Sequence, residues 1–274
     1  MRPGTGVNPT DVVLYSTTPR RGNDGFLNSP EMESPAEGPW AAAPVPAGTP
    51  DWSRAVHRLA GRDPTLGALI RRVGPCTLAA RSNSFATLAG AIVAQQISAA
   101  AARTVHRRLW ALAAGEAPTA EEVLELPDRA LRGAGLSRQK VAYLRDLASR
   151  IVDGRLDLAA LASLDDDQVR ASLTSVKGIG AWTADMHLIF TLHRPDVFAG
   201  GDAAVLAAMR DLYEIPPGAP AADYARISDR WRPFRSVGVW YMYEHIRALR
   251  RTTRSARRSG RRVRRPPGGR RGLR

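Results

Sequence analysis

The stretch Leu173-Thr174-Ser175-Val176-Lys177-Gly178-Ile179-Gly180-Ala181-Trp182-Thr183-Ala184-Asp185, with Val197-Phe198-Ala199-Gly200-Gly201-Asp202 shortly after it, decides the fold. A helical run ends near Val176, Gly178 and Gly180 write a tight turn around the apolar Ile179, and good helix formers resume at Ala181. Glycine accepts φ > 0 and lets the backbone approach another surface. The pattern therefore predicts two short helices joined by a glycine hairpin, with Ile179 turned inward. The amides of Gly178, Gly180 and Ala181 would point out of the start of the second helix, where unpaired N–H groups and the helix dipole favour an anion. A phosphodiester suits that place, and Lys177 stands beside it.

Composition points to the same kind of partner. The 274 residues carry a formal charge of +14, with an isoelectric point near 11.1, the footprint of a protein that meets a polyanion. The charge is uneven: 11 arginines and no acid fall in residues 251–274, so the rest of the chain is close to balance. Only Lys140 and Lys177 are lysines. The single Cys76 excludes an intrachain disulfide and a four-cysteine iron–sulfur cluster. His57, His106, His187, His193 and His245 show no metal-ligand spacing and read as surface or core residues. The start has no apolar signal region and no run is apolar enough to span a membrane, which predicts a cytoplasmic, nucleoid-associated protein.

Outward from the hairpin the chain reads as all-α. Residues 1–50 are rich in Pro, Gly, Ser and Ala without a sustained period, and predict a disordered extension. Helical periodicity runs over 51–249. Asp63-Pro64 marks one helix start, Ser84 another, Ser98 a helix over Ala99 to Ala114, and Thr119 with Glu122 a capping box. Ser137 precedes a helix to Val152 with Gly154 as its stop, and Asp165-Asp166-Asp167 opens the first hairpin helix. Further helices are predicted over Trp182 to His193, Ala203 to Tyr213, Ala221 to Arg230 and Trp231 to Leu249. Residues 250–274 predict a disordered arginine-rich tail that meets phosphates without reading bases.

Four blocks in order carry a resemblance: Ile92-Val93-Ala94-Gln95-Gln96-Ile97-Ser98, Gly135-Leu136-Ser137-Arg138-Gln139-Lys140-Val141, the hairpin with Asp202, and Trp231-Arg232-Pro233-Phe234-Arg235-Ser236. Together they resemble the helix-hairpin-helix (HhH-GPD) superfamily of DNA glycosylases, and within it the alkylation-repair branch, 3-methyladenine DNA glycosylase II. The resemblance covers roughly residues 51 to 249. It implies a two-lobed all-α fold with the active site in the cleft between the lobes, duplex DNA containing alkylated bases as partner, and a monomer.

The resemblance makes Asp202 the essential carboxylate. Breaking an N-glycosidic bond passes through an oxocarbenium-like sugar, and a carboxylate beneath C1′ stabilises that charge and can orient or deprotonate water. Asp202 also reads as an N-cap for the helix from Ala203, and the two roles are compatible. Bifunctional branches place a Schiff-base lysine just before the Thr183 position; here it is Trp182, which predicts a monofunctional enzyme that leaves an abasic site. An electron-rich indole stacks well on a cationic base, and the family pattern adds Met186 and Tyr243 to that pocket. Trp182 and Met186 at i and i+4 also read as an ordinary core stripe.

For DNA contact the resemblance points to Lys177, Gly178, Gly180, Ala181 and Thr183 at the hairpin, Gln96 as a wedge in the duplex, and Arg235 and Ser236 on backbone phosphate. Gln96 reads equally as a solvent-facing helix end, and Arg235 with Ser236 as a buried polar anchor. Asp185 reads as structural. No cofactor is required, and the carbonyls of Thr174, Val176 and Ile179 match those with which the family holds a monovalent cation, Na+ or K+. The expected activity is hydrolysis of the glycosidic bond of 3-methyladenine- and 7-methylguanine-type bases in base excision repair. Two alternatives stay open: a non-catalytic architectural DNA-binding protein, or a glycosylase for uracil, hypoxanthine or mismatched adenine. The missing cluster cysteines weigh against the last of these.

Overall fold

The computed structural model describes residues 51–113 and 117–263, with side chains through residue 252. The expectations for residues 1–50 and 264–274 lie outside them. Among the described residues there are twelve α-helices, two 3₁₀ turns and no strand, as the sequence predicts.

Helices α1 (Ser53–Arg62) and α2 (Pro64–Val73) pack on each other and on α12 (Arg235–Val263), which also carries α10 (Ala203–Tyr213). The 3₁₀ turn Asp229–Trp231, following α11 (Ala221–Ser228), closes this group against α1. A second group gathers on α7 (Arg138–Val152): α3 (Phe85–Ala94), α5 (Ala120–Glu125) and α6 (Asp128–Gly133), with α4 (Ala99–Trp110) against α3. The hairpin helices α8 (Asp166–Thr174) and α9 (Ala181–Phe190) pack together, and one continuous hydrophobic core runs through all three assemblies.

Capping residues act where the sequence places them. The side chains of Asp63, Ser84, Ser98 and Ser137 each accept an amide at the start of their helix. Thr119 with Glu122 and Asp165 with Gln168 form capping boxes. Val141, Leu144, Leu147 and Ala148 keep helical spacing and face inward along α7. In α12 the whole run Val239-Trp240-Tyr241-Met242-Tyr243 is buried, so this helix is enclosed on all sides rather than amphipathic over that turn. Trp231 is packed so closely on it that a Cβ on Gly238 would lie 2.4 Å from the indole.

Several helix ends differ from expectation. α4 stops at Trp110, where the chain turns ahead of Gly115, and α9 stops at Phe190 because His193 turns left-handed (φ 53°) before Pro195. The last helix begins at Arg235, not Trp231: Pro233 offers no N–H and pushes Arg232 into an extended conformation. It also passes Leu249 to Val263, because residues 250–259 contain no proline or glycine and arginine and alanine sustain a helix.

Two buried polar groups yield predictions. Asp63, fully buried, accepts the Leu66 amide on Oδ1 (3.0 Å) and both Tyr213 Oη (2.9 Å) and Trp231 Nε1 (3.2 Å) on Oδ2. Asp63→Ala strands two donors and removes a cap, so urea unfolding should report a loss of about 4 kcal/mol. His187, buried on α9 against Asn83 Oδ1 (3.1 Å), has its pKa lowered from 6.5 to about 4 by burial and, second, by the Arg81 charge. The imidazole is therefore neutral in the fold. As pH falls from 6.5 toward 4 the unfolded chain takes up a proton that the fold refuses, and stability drops by up to about 3 kcal/mol. Denaturant midpoints across that window should decline less in His187→Gln.

Candidate active site

The hairpin forms as predicted, with a division of labour between its glycines. Gly178 is left-handed (φ 83°), and a Cβ there would meet Tyr143 Cδ2 at 2.1 Å. Gly180 has an ordinary φ of −96°, caps α9, and a Cβ there would meet nothing within 4 Å. The fold thus needs glycine at 178, whereas at 180 its missing side chain leaves open space before the helix start. Ile179 is buried beneath the turn, and Lys177, Gly180 and Ala181 are exposed. The Thr183 side chain is buried, so its amide, in the first turn of α9, is the group it offers to an anion.

The hairpin is tied to the α7 group from two sides. Gln95 Nε2 donates to the Gly178 carbonyl (2.7 Å), and the Lys177 amide donates to Asp146 Oδ2 (2.9 Å), a carboxylate also paired with Arg150 (2.9 Å). Lys140 Nζ donates to the carbonyls of Val93 (2.7 Å) and Gln95 (2.6 Å), closing the C-terminal end of α3. Beyond it Gln96 is exposed and left-handed (φ 57°), a strained conformation for a residue with a side chain. Gln95 and Lys140 stand in the sequence blocks that carry the resemblance, but nothing local announces which groups they reach.

On the other side of the hairpin lies Asp202. It caps α10 with Oδ1, which accepts the amides of Ala204 and Val205 (2.8 Å each), while Oδ2 accepts Trp182 Nε1 and Tyr243 Oη (2.6 Å each). The carboxylate is 5% exposed and adjoins the Trp182 indole, which is 40% exposed. Tyr243 Oη also lies 3.4 Å from Met186 Sδ, and its hydroxyl is held protonated far beyond the usual range by burial and, second, by the Asp202 charge. Asp202, Trp182, Met186 and Tyr243 are therefore one cluster, with capping and carboxylate presentation combined in a single side chain.

Arg235 and Ser236 are both engaged within the fold, in the manner of the anchor reading. Arg235 Nε donates to Asp196 Oδ1 (2.8 Å) and Nη2 to the Asp196 carbonyl (2.6 Å). Ser236, fully buried, donates to the Arg194 carbonyl (2.6 Å) and accepts the Val197 amide (3.0 Å). Both fasten the loop that leads into Asp202. Asp185 is structural, paired with Arg170 at 2.8 Å. The carbonyls of Thr174, Val176 and Ile179 lie at the C-terminal end of α8 and in the turn, where the helix dipole favours a cation, and that of Val176 accepts the Ile179 amide (3.1 Å) while keeping one lone pair.

An anion-receptive helix start at α9 and a nearly buried carboxylate at the start of α10 thus meet through Trp182, in the first turn of α9. The family model for the HhH-GPD superfamily of base excision DNA repair proteins matches residues 89–233, and the chain belongs to that superfamily. Its relatives include 3-methyladenine glycosylases. It is 28% identical to DNA-3-methyladenine glycosylase 1 of Schizosaccharomyces pombe, over 70% of this chain and 86% of that one. A crystal structure of a Bacillus halodurans DNA-3-methyladenine glycosidase superposes with a TM-score of 0.66 at 31% identity, covering 73% of this chain and 93% of that one. The Schizosaccharomyces pombe 3-methyladenine DNA glycosylase bound to abasic DNA superposes with a TM-score of 0.63 at 27% identity, covering 70% and 96%. The family match ends before Arg235 and Tyr243. Among the described residues no helix is long and apolar enough to cross a membrane.

Proposed function

We propose that this protein is a monofunctional DNA glycosylase that removes alkylated, positively charged bases from duplex DNA and leaves an abasic site. The observation that carries the reading is the Asp202 carboxylate, nearly buried at the start of α10 and adjoining an exposed indole on the turn that opens toward phosphate. A base such as 3-methyladenine or 7-methylguanine already carries the charge that makes it a good leaving group, so no strong general acid is needed. Trp182 takes the flipped ring by cation–π stacking. Asp202 stabilises the oxocarbenium-like sugar and orients the attacking water. The amides of Gly180, Ala181 and Trp182 hold a phosphate of the same strand, and Gln96 fills the space the base leaves. The exposed, left-handed Gln96 and the open space at Gly180 support these two placements.

The hairpin carbonyls of Thr174, Val176 and Ile179 suit a monovalent cation, which would neutralise the end of α8 beside a bound phosphate. The protein acts as a monomer on the nucleoid.

Strand cleavage tests the monofunctional reading. Methylated duplex incubated with the protein should break only after alkali, because Trp182 offers no amine for a Schiff base. Breaks before alkali would contradict it. Removing residues 251–274 should flatten the dependence of log K on log salt by about 0.9 for every phosphate those arginines neutralise. An unchanged slope would show that they do not touch DNA.

A further inference from the structure

The protein builds the same carboxylate cage twice. In each, an aspartate caps a helix with Oδ1 and accepts one tyrosine hydroxyl and one tryptophan N–H on Oδ2: Asp63 with Tyr213 and Trp231, Asp202 with Tyr243 and Trp182. The first is sealed, with Asp63 and Trp231 both 0% exposed. The second is sealed on every side but one. Its tyrosine is buried and its two amides belong to α10, but Trp182 is open to solvent.

This matters because Asp202 as it stands has no lone pair to spare. Each carboxylate oxygen accepts two hydrogen bonds, which fills its ordinary acceptor capacity. An oxygen so engaged neither accepts a proton from water nor faces an oxocarbenium carbon. One donor must leave, and among the four only Trp182 can do so without breaking a helix start or moving a buried ring. What draws it away is the ligand its π-face suits, an electron-poor aromatic cation.

We infer that the Trp182 indole N–H is a latch on the Asp202 carboxylate which the incoming base itself releases, while Tyr243 is a positioning residue that stays attached throughout. The inference rests on the base-excision reading above and adds a source of discrimination to it. A neutral, weakly stacking base leaves the latch closed and the carboxylate occupied, so selectivity arises at the carboxylate as well as in the pocket. No covalent bond changes in this step; one hydrogen bond is exchanged for ring stacking.

Indole N–H resonances of the ¹⁵N-labelled full chain, which has six tryptophans, test it. In the free protein Trp182 and Trp231 should both lie downfield, as carboxylate-bound indoles do, with Trp182→Phe giving the assignment and Asp202→Asn moving Trp182 alone. A Trp182 signal at the position of a solvated indole overturns the latch at once. The probe is then a duplex containing 2′-fluoro-7-methyl-2′-deoxyguanosine, whose fluorine keeps the glycosidic bond intact. Its binding should move Trp182 upfield and leave Trp231, the internal reference, in place. A Trp182 signal that stays downfield at saturation, while the non-fluorinated duplex still releases its base, overturns the latch and leaves the glycosylase reading standing. If that duplex releases no base, the glycosylase reading falls and the latch falls with it. For Tyr243, Tyr243→Phe keeps the buried ring, so kcat should fall about tenfold with KM little changed, as the removal of one positioning hydrogen bond predicts. An unchanged kcat with only a lower Tm would make Tyr243 purely structural.

Discussion

Asp202→Asn lowers the rate of base release by about 10³-fold, equivalent to about 4 kcal/mol of transition-state stabilisation, while the fold survives. The separation follows from how the two oxygens are used. Oδ1 serves the amides of Ala204 and Val205, and an asparagine oxygen keeps both bonds and the cap. In the proposed mechanism Oδ2 serves the chemistry, and an amide nitrogen there neither balances a cationic sugar nor takes a proton from water. Single-turnover release on methylated duplex, read beside a thermal melt, makes the comparison. A variant that melts within a few degrees of wild type yet excises at the wild-type rate would remove Asp202 from the mechanism. Asp202→Ala confounds the two roles, since it loses the cap as well.

The hairpin glycines give the second large effect. Gly178→Ala forces a left-handed alanine and drives its Cβ into the Tyr143 ring, for a combined cost of about 3 kcal/mol and a Tm lower by about 10 °C. Gly180→Ala meets no protein atom and keeps an allowed φ, so stability should change by less than about 0.5 kcal/mol. If a phosphate sits at the start of α9, the new methyl intrudes on it and DNA affinity falls about tenfold, roughly 1.4 kcal/mol. The pair therefore separates glycine required by the fold from glycine required by the ligand. Equal losses of stability would contradict that division, and unchanged DNA affinity in Gly180→Ala would place the phosphate elsewhere.

Local grammar is legible in this sequence and long-range pairing is not. Caps at Asp63, Ser84, Ser98, Thr119, Ser137 and Asp165 act where the sequence writes them, because each joins residues two or three apart. The hairpin and the cap at Asp202 are readable for the same reason. Arg235 and Ser236 read equally as phosphate contacts or as anchors, and the partner Arg235 holds in the fold is Asp196, 39 residues before it, which no spacing rule reaches. Gln95 meets Gly178 across 83 positions, and the long arms of the two carboxylate cages join residues 20 to 168 apart. Family pattern points to Tyr243 as a pocket residue; that its hydroxyl holds the carboxylate is visible only in three dimensions. Arginine-rich composition suggests disorder beyond Leu249, yet a proline-free run of arginine and alanine carries the last helix to Val263, through Gly260.

The central claim is that this chain cuts the bond between an alkylated base and its sugar. The most direct measurement is chromatographic detection of free bases after incubating the purified protein with methylated duplex DNA. The account predicts release of 3-methyladenine and 7-methylguanine by wild type, falling to background with Asp202→Asn. Tight DNA binding with no base released by wild type would contradict it and leave a protein that holds DNA without repairing it.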